Sequence, residues 1–363
     1  LHLFAKEQPD LNYHNEAVIE AIEEAMHFWL ERGVAGFRCD VINIIYKEAI
    51  KNGKWRPALT GSEYYLSTPG CHRVLHRLHE DVLAKYDAFT VGETVFVTHK
   101  MADDLVNPAR GELSTVFAFE HMETDCYKIK WFLRRFSPDR FFACLTKWQK
   151  ALPWNTVYLE NHDQPRSVSR YGNDTKYHDE SAKALATLVL TLRGTPFLYE
   201  GQEIGMTNFD FPDMQKVRDV ESINIWNIGK RLHLPRSLRW RMIKTKSRDN
   251  ARTPMQWNDS PNAGFTTGTP WLSVNGNYPC INAAKQENDP HSVLTYYRQL
   301  IAFRNGSEIL QTGDFFELYR KDGVYAYRRS LNVESLIVVI SLSTKERPNP
   351  VSGTVVLSNY GRQ

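Results

Sequence analysis

The first chemical signal in this chain lies at the end of a short apolar run. Gly33-Val34-Ala35-Gly36-Phe37-Arg38-Cys39-Asp40 begins small and apolar and finishes on an arginine and an aspartate two positions apart. In a strand, residues i and i+2 project to the same side, so Arg38 and Asp40 are expected to meet. A carboxylate held against a permanent cation stays ionised with a lowered pKa, and it can then attack an electrophilic carbon or stabilise a developing cation. An ordinary salt bridge at a strand end has the same signature, because structural ion pairs perturb pKa values too.

The pattern recurs downstream. Phe89-Thr90-Val91-Gly92 ends at Glu93, residues 114–119 run into Glu120-His121, residues 156–159 into Glu160-Asn161-His162-Asp163, and residues 195–199 into Glu200-Gly201-Gln202-Glu203. Asp40 and Glu93 at successive strand ends supply the two carboxylates that cleavage of a glycosidic bond needs. One attacks or stabilises the anomeric carbon and the other protonates the leaving oxygen. Arg38 keeps Asp40 charged, whereas the apolar strand before Glu93 implies partial burial, a raised pKa and an acid role near neutral pH. Asp163, next to His162, could bind sugar hydroxyls and favour an oxocarbenium-like transition state. Trp154, Trp257 and Trp271 offer flat apolar faces for sugar rings, or simply core packing. The acids with His121 or His162 leave a metal possible in principle, but no His-x-x-x-His or comparable ligand spacing is present.

Parallel strands joined by helices would put these residues at one edge. Val18, Ile19, Ile22, Met26 and Trp29 recur at helical spacing over 16–30, with Glu31-Arg32-Gly33 as a stop. Helical patterns return over 71–85, 131–150 and near 181–192. Five strand-to-helix units in succession, with polar residues always at the strand's C-terminal end, predict a parallel α/β fold whose active site lies at that face. Residues 204–290 are irregular. The basic run from Lys230 to Arg248 reads as a solvated helix face, since no nucleic-acid recognition motif accompanies it. Beyond a last helix near 290–305, strands alternate over 315–320, 324–329, 335–342 and 353–358, the first two joined by Lys321-Asp322-Gly323, a hairpin turn. Residues 307–363 are therefore expected to form a small all-β domain.

The bulk properties exclude several classes. With 363 residues, 42% hydrophobic and 24% charged, the chain is an ordinary globular protein rather than a disordered one. A net charge of +3 is too small at this length to suggest a nucleic-acid or membrane partner. Five dispersed cysteines with no Cys-x-x-Cys pair argue against a disulfide framework or zinc cluster and favour a cytoplasmic setting. No run of 18 apolar residues suggests a membrane span.

At these residues the chain resembles a known family. Gly36-Phe37-Arg38-Cys39-Asp40-Val41-Ile42-Asn43, Val91-Gly92-Glu93-Thr94 and Glu160-Asn161-His162-Asp163-Gln164-Pro165-Arg166 are similar, in order and spacing, to the catalytic segments of the α-amylase family, glycoside hydrolase family 13. Gln8-Pro9-Asp10-Leu11-Asn12, the segment Gly201-Gln202-Glu203-Ile204-Gly205-Met206-Thr207-Asn208 and the run Arg248-Asp249-Asn250-Ala251-Arg252-Thr253-Pro254-Met255-Gln256-Trp257 resemble its oligo-1,6-glucosidase and α-glucosidase branch. The resemblance implies that Asp40 is the nucleophile of a retaining mechanism, Glu93 the general acid/base and Asp163 the transition-state stabiliser. It implies that Arg38, His162 and Arg248 hold the non-reducing glucose, that no cofactor is required, and that the fold is a (β/α)8 barrel with a C-terminal β-sandwich.

The implied substrates are short, α-1,6-linked glucosides, because Val41 after the nucleophile resembles the α-1,6-cleaving members. Trehalose-6-phosphate hydrolases and sucrose isomerases or transglucosidases share much of the pattern, and a non-catalytic amylase-like binding protein is the rival from another class. Members begin with three further strands and a calcium-binding loop, so the chain is expected to be a fragment holding barrel strands four to eight (residues 1–306) and an incomplete sandwich (307–363). The calcium site would lie in the missing part, and the fragment alone is expected to be inactive. A monomer acting on small oligosaccharides, with no nucleic-acid or membrane partner, completes the expectation.

Overall fold

The computed structural model describes residues 1–56, 59–127 and 129–360. It comprises two compact units, one of Leu1–Glu120 with Ala151–Thr156 and the other of His121–Lys150 with Val157–Gln363. Residues 361–363, the end of the expected C-terminal domain, lie outside the described residues.

In the first unit, helix α1 (Glu16–Leu30) starts where the Asn15 side chain accepts the Ala17 N–H at 3.2 Å. Helix α2 (Pro69–Asp81) starts at Thr68, whose hydroxyl accepts the Cys71 N–H, followed by a proline that needs no partner there. Ile19 of α1 packs with Val74 and Leu78 of α2, flanked by Ile22, Met26, Ile45 and Tyr46. Trp29, which the periodicity counts with that face, is exposed. The helical pattern of 71–85 breaks at Val82, and a 3-10 turn over Leu83–Tyr86 follows.

Strands β1 (Gly36–Cys39), β2 (Phe89–Glu93) and β3 (Thr115–Phe117) form a parallel sheet in that order, with helix α3 (His99–Val106) between the last two. Arg38 is in register with Val91, and Glu93 with Phe117. Gly36 has to be glycine: a Cβ there would lie 1.8 Å from the Phe89 carbonyl oxygen on the neighbouring strand. This parallel order puts the C-terminal ends of β1 and β2, and so Asp40 and Glu93, side by side.

The second unit departs from expectation at its start. Residues 131–133 are not helical: β4 (Cys126–Tyr127) and β5 (Ile129–Leu133) pair antiparallel, and helix α4 (Pro138–Ala151) begins seven residues later than 131. Ile129, Trp131 and Leu133 alternate, a strand pattern, and Pro138 supplies the helix start. Next come β6 (Thr156–Val157), α5 (Ser167–Tyr171), α6 (His178–Thr191) and β7 (Thr195–Pro196), with the Phe197 N–H donating to the Val157 carbonyl at 2.8 Å. Helices α7 (Val220–Arg231) and α8 (Arg236–Lys246) contain most of the basic run. Much of that run is exposed, but Met242, Ile243 and Lys246 are buried, so it is not simply a solvated face.

A short α9 (Ala283–Glu287) precedes α10 (Val293–Asn305), whose Val293, Tyr296, Tyr297 and Leu300 pack on Ala182, Ala186 and Leu190 of α6. After α11 (Glu308–Thr312), strands β8 (Asp314–Lys321), β9 (Val324–Leu331) and β10 (Glu334–Ser341) form an antiparallel sheet. Its first turn is Asp322-Gly323, both at positive φ, as a tight hairpin requires. The β9 side chains tie it to the helices: Tyr325 and Thr146 hydroxyls are 2.8 Å apart, and Arg329 Nη1 donates to the Thr191 carbonyl at 2.7 Å. The strand expected over 353–358 does not form. Val355 and Val356 are exposed, and apolar residues without a neighbouring ladder do not make a strand.

Candidate active site

The candidate residues fall into two clusters, one in each unit. In the first, Arg38 Nη1 donates to Asp40 Oδ1 at 2.5 Å, the meeting that strand alternation predicts. The same guanidinium also donates through Nη2 to Glu93 Oε2 at 2.8 Å. The Val41 N–H reaches that Glu93 oxygen at 3.4 Å. Val41 itself adopts a left-handed conformation, φ 41° and ψ 39°, which a β-branched residue accepts only under strain.

The two carboxylates differ in environment. The Asp40 side chain is 71% exposed and that of Glu93 only 12%. Burial pushes the Glu93 carboxyl above the ordinary carboxylate range and Asp40 beside it acts in the same direction, while Arg38 pulls partly back. An open carboxylate bound to a cation and a half-buried neighbour whose pKa is raised are the two halves of an acid–nucleophile pair.

In the second unit, Asp163 is held by two arginines. Arg252 Nη2 lies 2.5 Å and Arg248 Nη1 3.5 Å from Asp163 Oδ1. Arg252 Nε also donates to the His162 carbonyl at 2.8 Å, and His162 Nε2 is 3.7 Å from Asp163 Oδ2. Arg248 is braced from behind, its Nε donating to Asp219 Oδ1 at 2.9 Å. Asp219 caps α7 and also accepts the Ser222 hydroxyl at 2.6 Å. Although burial raises its pKa, Ser222 and Arg248 outweigh that and hold Asp219 below the ordinary range.

The chain thus brings Arg38, Asp40 and Glu93 together in one unit and His162, Asp163 and Arg248 together in the other. Sequence reading missed Arg252 and Asp219. Arg252 was legible as the second arginine of Arg248-Asp249-Asn250-Ala251-Arg252, two residues past a 3-10 turn over Arg248–Asn250. For Asp219 only the helix-capping pattern was visible, with nothing local to pair it with Arg248. Trp257 and Trp271 are exposed rather than core, and Trp154 is partly exposed. Among the described residues, no group of three or more His, Cys, Asp or Glu could hold a metal ion, and no helix is long and apolar enough to cross a membrane. A cavity of about 900 Å3 opens between α6, β10 and residues 342–360, and none of the six candidates lines it.

Comparison with known proteins places this geometry in context. The family model for the α-amylase catalytic domain matches residues 1–313. An oligo-1,6-glucosidase from Parageobacillus thermoglucosidasius is 46% identical over 356 residues, covering 95% of this chain and 63% of that protein. The chain therefore spans less than two thirds of that relative's length. The crystal structure of trehalose-6-phosphate hydrolase from Bacillus licheniformis superposes with a TM-score of 0.89 at 41% identity, over 97% of this chain and 65% of that one. That of isomaltulose synthase from Klebsiella sp. gives 0.88 at 37%, over 94% and 63%.

Proposed function

Because the chain belongs to the α-amylase family, with that family's TIM-barrel fold and a C-terminal sheet of three antiparallel strands, we propose that the protein is a retaining α-glucoside hydrolase. It releases glucose from the non-reducing end of short, α-1,6-linked glucosides. The observation that carries this reading is the Arg38 guanidinium shared by an exposed Asp40 and a half-buried Glu93 with a raised pKa.

In the proposed mechanism an Asp40 oxygen attacks the anomeric carbon as the glycosidic C–O bond breaks, and Glu93 gives its proton to the departing oxygen. Glu93, now a base, then takes a proton from water, whose oxygen displaces Asp40 and frees glucose with its original anomeric configuration. Asp163 stabilises the positive charge at the anomeric carbon in both steps. Arg38, His162 and Arg248 hold the sugar's hydroxyls. The acid pair suffices for the chemistry, so no cofactor is invoked.

The finer architecture belongs to the same proposal. Strands β1, β2, β3, β6 and β7 correspond to barrel strands four to eight within residues 1–306, and the sheet of β8, β9 and β10 belongs to the small C-terminal β domain. We read the protein as a cytoplasmic monomer whose partners are small oligosaccharides, with neither nucleic acid nor membrane. The second reading, trehalose-6-phosphate hydrolysis or sucrose isomerisation, is supported by the solved relatives above. A non-catalytic binding role is disfavoured because Asp40, Glu93 and Asp163 are all retained.

Assay of the full-length gene product on isomaltose, maltose, sucrose and trehalose 6-phosphate side by side tests the reading, with isomaltose expected to have the highest kcat/KM. Preference for trehalose 6-phosphate or sucrose would transfer the proposal to the second reading, and no turnover of any of the four would reject it. Val41→Ala should lower the isomaltose-to-maltose ratio of kcat/KM by about tenfold, the scale on which a small change in an apolar contact discriminates substrates.

A further inference from the structure

Glu160 opens the segment that carries His162 and Asp163, yet the mechanism leaves it idle. Its side chain is 1% exposed, and a carboxylate buried to that degree is costly unless it is partnered. Its Oε2 accepts the Ser167 N–H at 3.2 Å and its Oε1 the Ser167 hydroxyl at 3.1 Å. These two bonds close residues 160–167 into a loop. Within it the Asn161 side chain accepts the Asp163 N–H at 2.8 Å, which fixes the backbone from which Asp163 projects.

A second path from Glu160 returns to Asp163 by way of another part of the chain. Arg166 is fully buried, with Nη1 3.8 Å from Glu160 Oε2. It donates to the Glu200 carbonyl at 2.6 Å and to the Ala251 carbonyl at 3.2 Å. Tyr199 lies under the guanidinium at 5.1 Å, and its hydroxyl donates to the same Ala251 carbonyl at 3.1 Å. Ala251 precedes Arg252, the residue that grips both Asp163 and the His162 carbonyl.

We infer that Glu160 is a positioning residue for Asp163: through Ser167 it closes the loop that presents Asp163, and through Arg166 and Ala251 it sets the arginine that clamps it. This rests on the reading of Asp163 as the transition-state stabiliser. Titration supports the geometry. Burial pushes the Glu160 carboxyl up to about 7, although Arg166 and Ser167 pull it down and Glu203 pushes it up. Tyr171, Tyr199 and Tyr297 also face it, leaving Arg166 the one cation among these neighbours. As pH falls through about 7, Glu160 takes up a proton and Arg166 loses its counter-charge, so positioning weakens progressively across that pH.

The test uses the full-length gene product with isomaltose. Glu160→Gln should lower kcat by about ten- to a hundredfold, change KM less than threefold and abolish the limb of the kcat profile that titrates near pH 7. Ser167→Ala should lower kcat while keeping that limb. Wild-type kcat and an unchanged pH profile in Glu160→Gln would overturn the inference, provided Asp163→Asn is inactive. Full activity in Asp163→Asn would instead overturn the underlying reading. A crystal structure of Glu160→Gln gives a readout independent of turnover: the Arg252–Asp163 pair should open beyond ion-pair distance, and an intact pair would sink the proposal.

Discussion

Arg38 Nη2 lies 2.8 Å from Glu93 Oε2, so the arginine that strand alternation pairs with Asp40 holds the second carboxylate as well. One cation therefore pairs with both acids. It restrains the rise that burial imposes on Glu93, and it balances Asp40, which would otherwise force Glu93 further toward its protonated form.

Removing that cation should move the pH profile in a definite direction. In Arg38→Gln the ionised form of Glu93 loses its partner, so the Glu93 pKa rises and the alkaline limb of kcat/KM shifts to higher pH. The rate at neutral pH should fall roughly 10- to 100-fold, the value of a hydrogen bond to a charged group. An alkaline limb that stays in place would show that Glu93 is not the group being titrated.

The two acids should separate by leaving group. With isomaltose, Glu93→Gln should cost about 10²–10⁴ in kcat, the usual contribution of a general acid. With an aryl α-glucoside whose phenol leaves without protonation, the first equivalent of phenol should appear at close to the wild-type rate. Asp40→Asn should be inactive on both substrates, and stopped-flow measurement of the phenol burst distinguishes the variants.

Arg252, missed in the sequence, should matter as much as Arg248. Its loss leaves Asp163 with Arg248 at 3.5 Å and His162 Nε2 at 3.7 Å, both longer than the 2.5 Å contact removed. Arg252→Ala is expected to lower kcat/KM by roughly 10- to 100-fold, and Arg252→Lys to recover only part, since an ammonium cannot bond the His162 carbonyl and Asp163 in the same fork. Full recovery in the lysine variant would reduce Arg252 to a point charge.

Stability should depend on a buried triad in the second unit. Asp125, 8% exposed, pairs with Arg170 at 2.8 Å and Lys246 at 2.6 Å. Burial raises its pKa, but Arg170 and Lys246 outweigh this and bring it down to about 2. A depressed carboxylate stabilises the fold above its unfolded pKa, and that stability is lost as pH falls from about 4 to about 2, a change of about 2 kcal/mol. Asp125→Asn should lack that part of the pH dependence. It should also lose about 3–5 kcal/mol in urea unfolding at neutral pH, because two buried cations are left uncompensated.

What the sequence determined by itself is whatever rests on period and adjacency. Strand alternation joined Arg38 to Asp40, the apolar run before Glu93 implied its raised pKa, and helical spacing marked α1 and α2. The tertiary structure alone decided what rests on meetings between distant segments. Arg38 reaches Glu93 across 55 residues because β1 and β2 are parallel neighbours in register, and Asp163 meets Arg252 across 89 because a 3-10 turn brings that arginine back to the loop after β6. It also decided where a strand-like composition had no partner: Thr354-Val355-Val356-Leu357 suits a strand, yet no neighbouring ladder takes it up. A periodicity records which face of an element is apolar, whereas a contact or a ladder depends on where the chain returns, and only packing sets that.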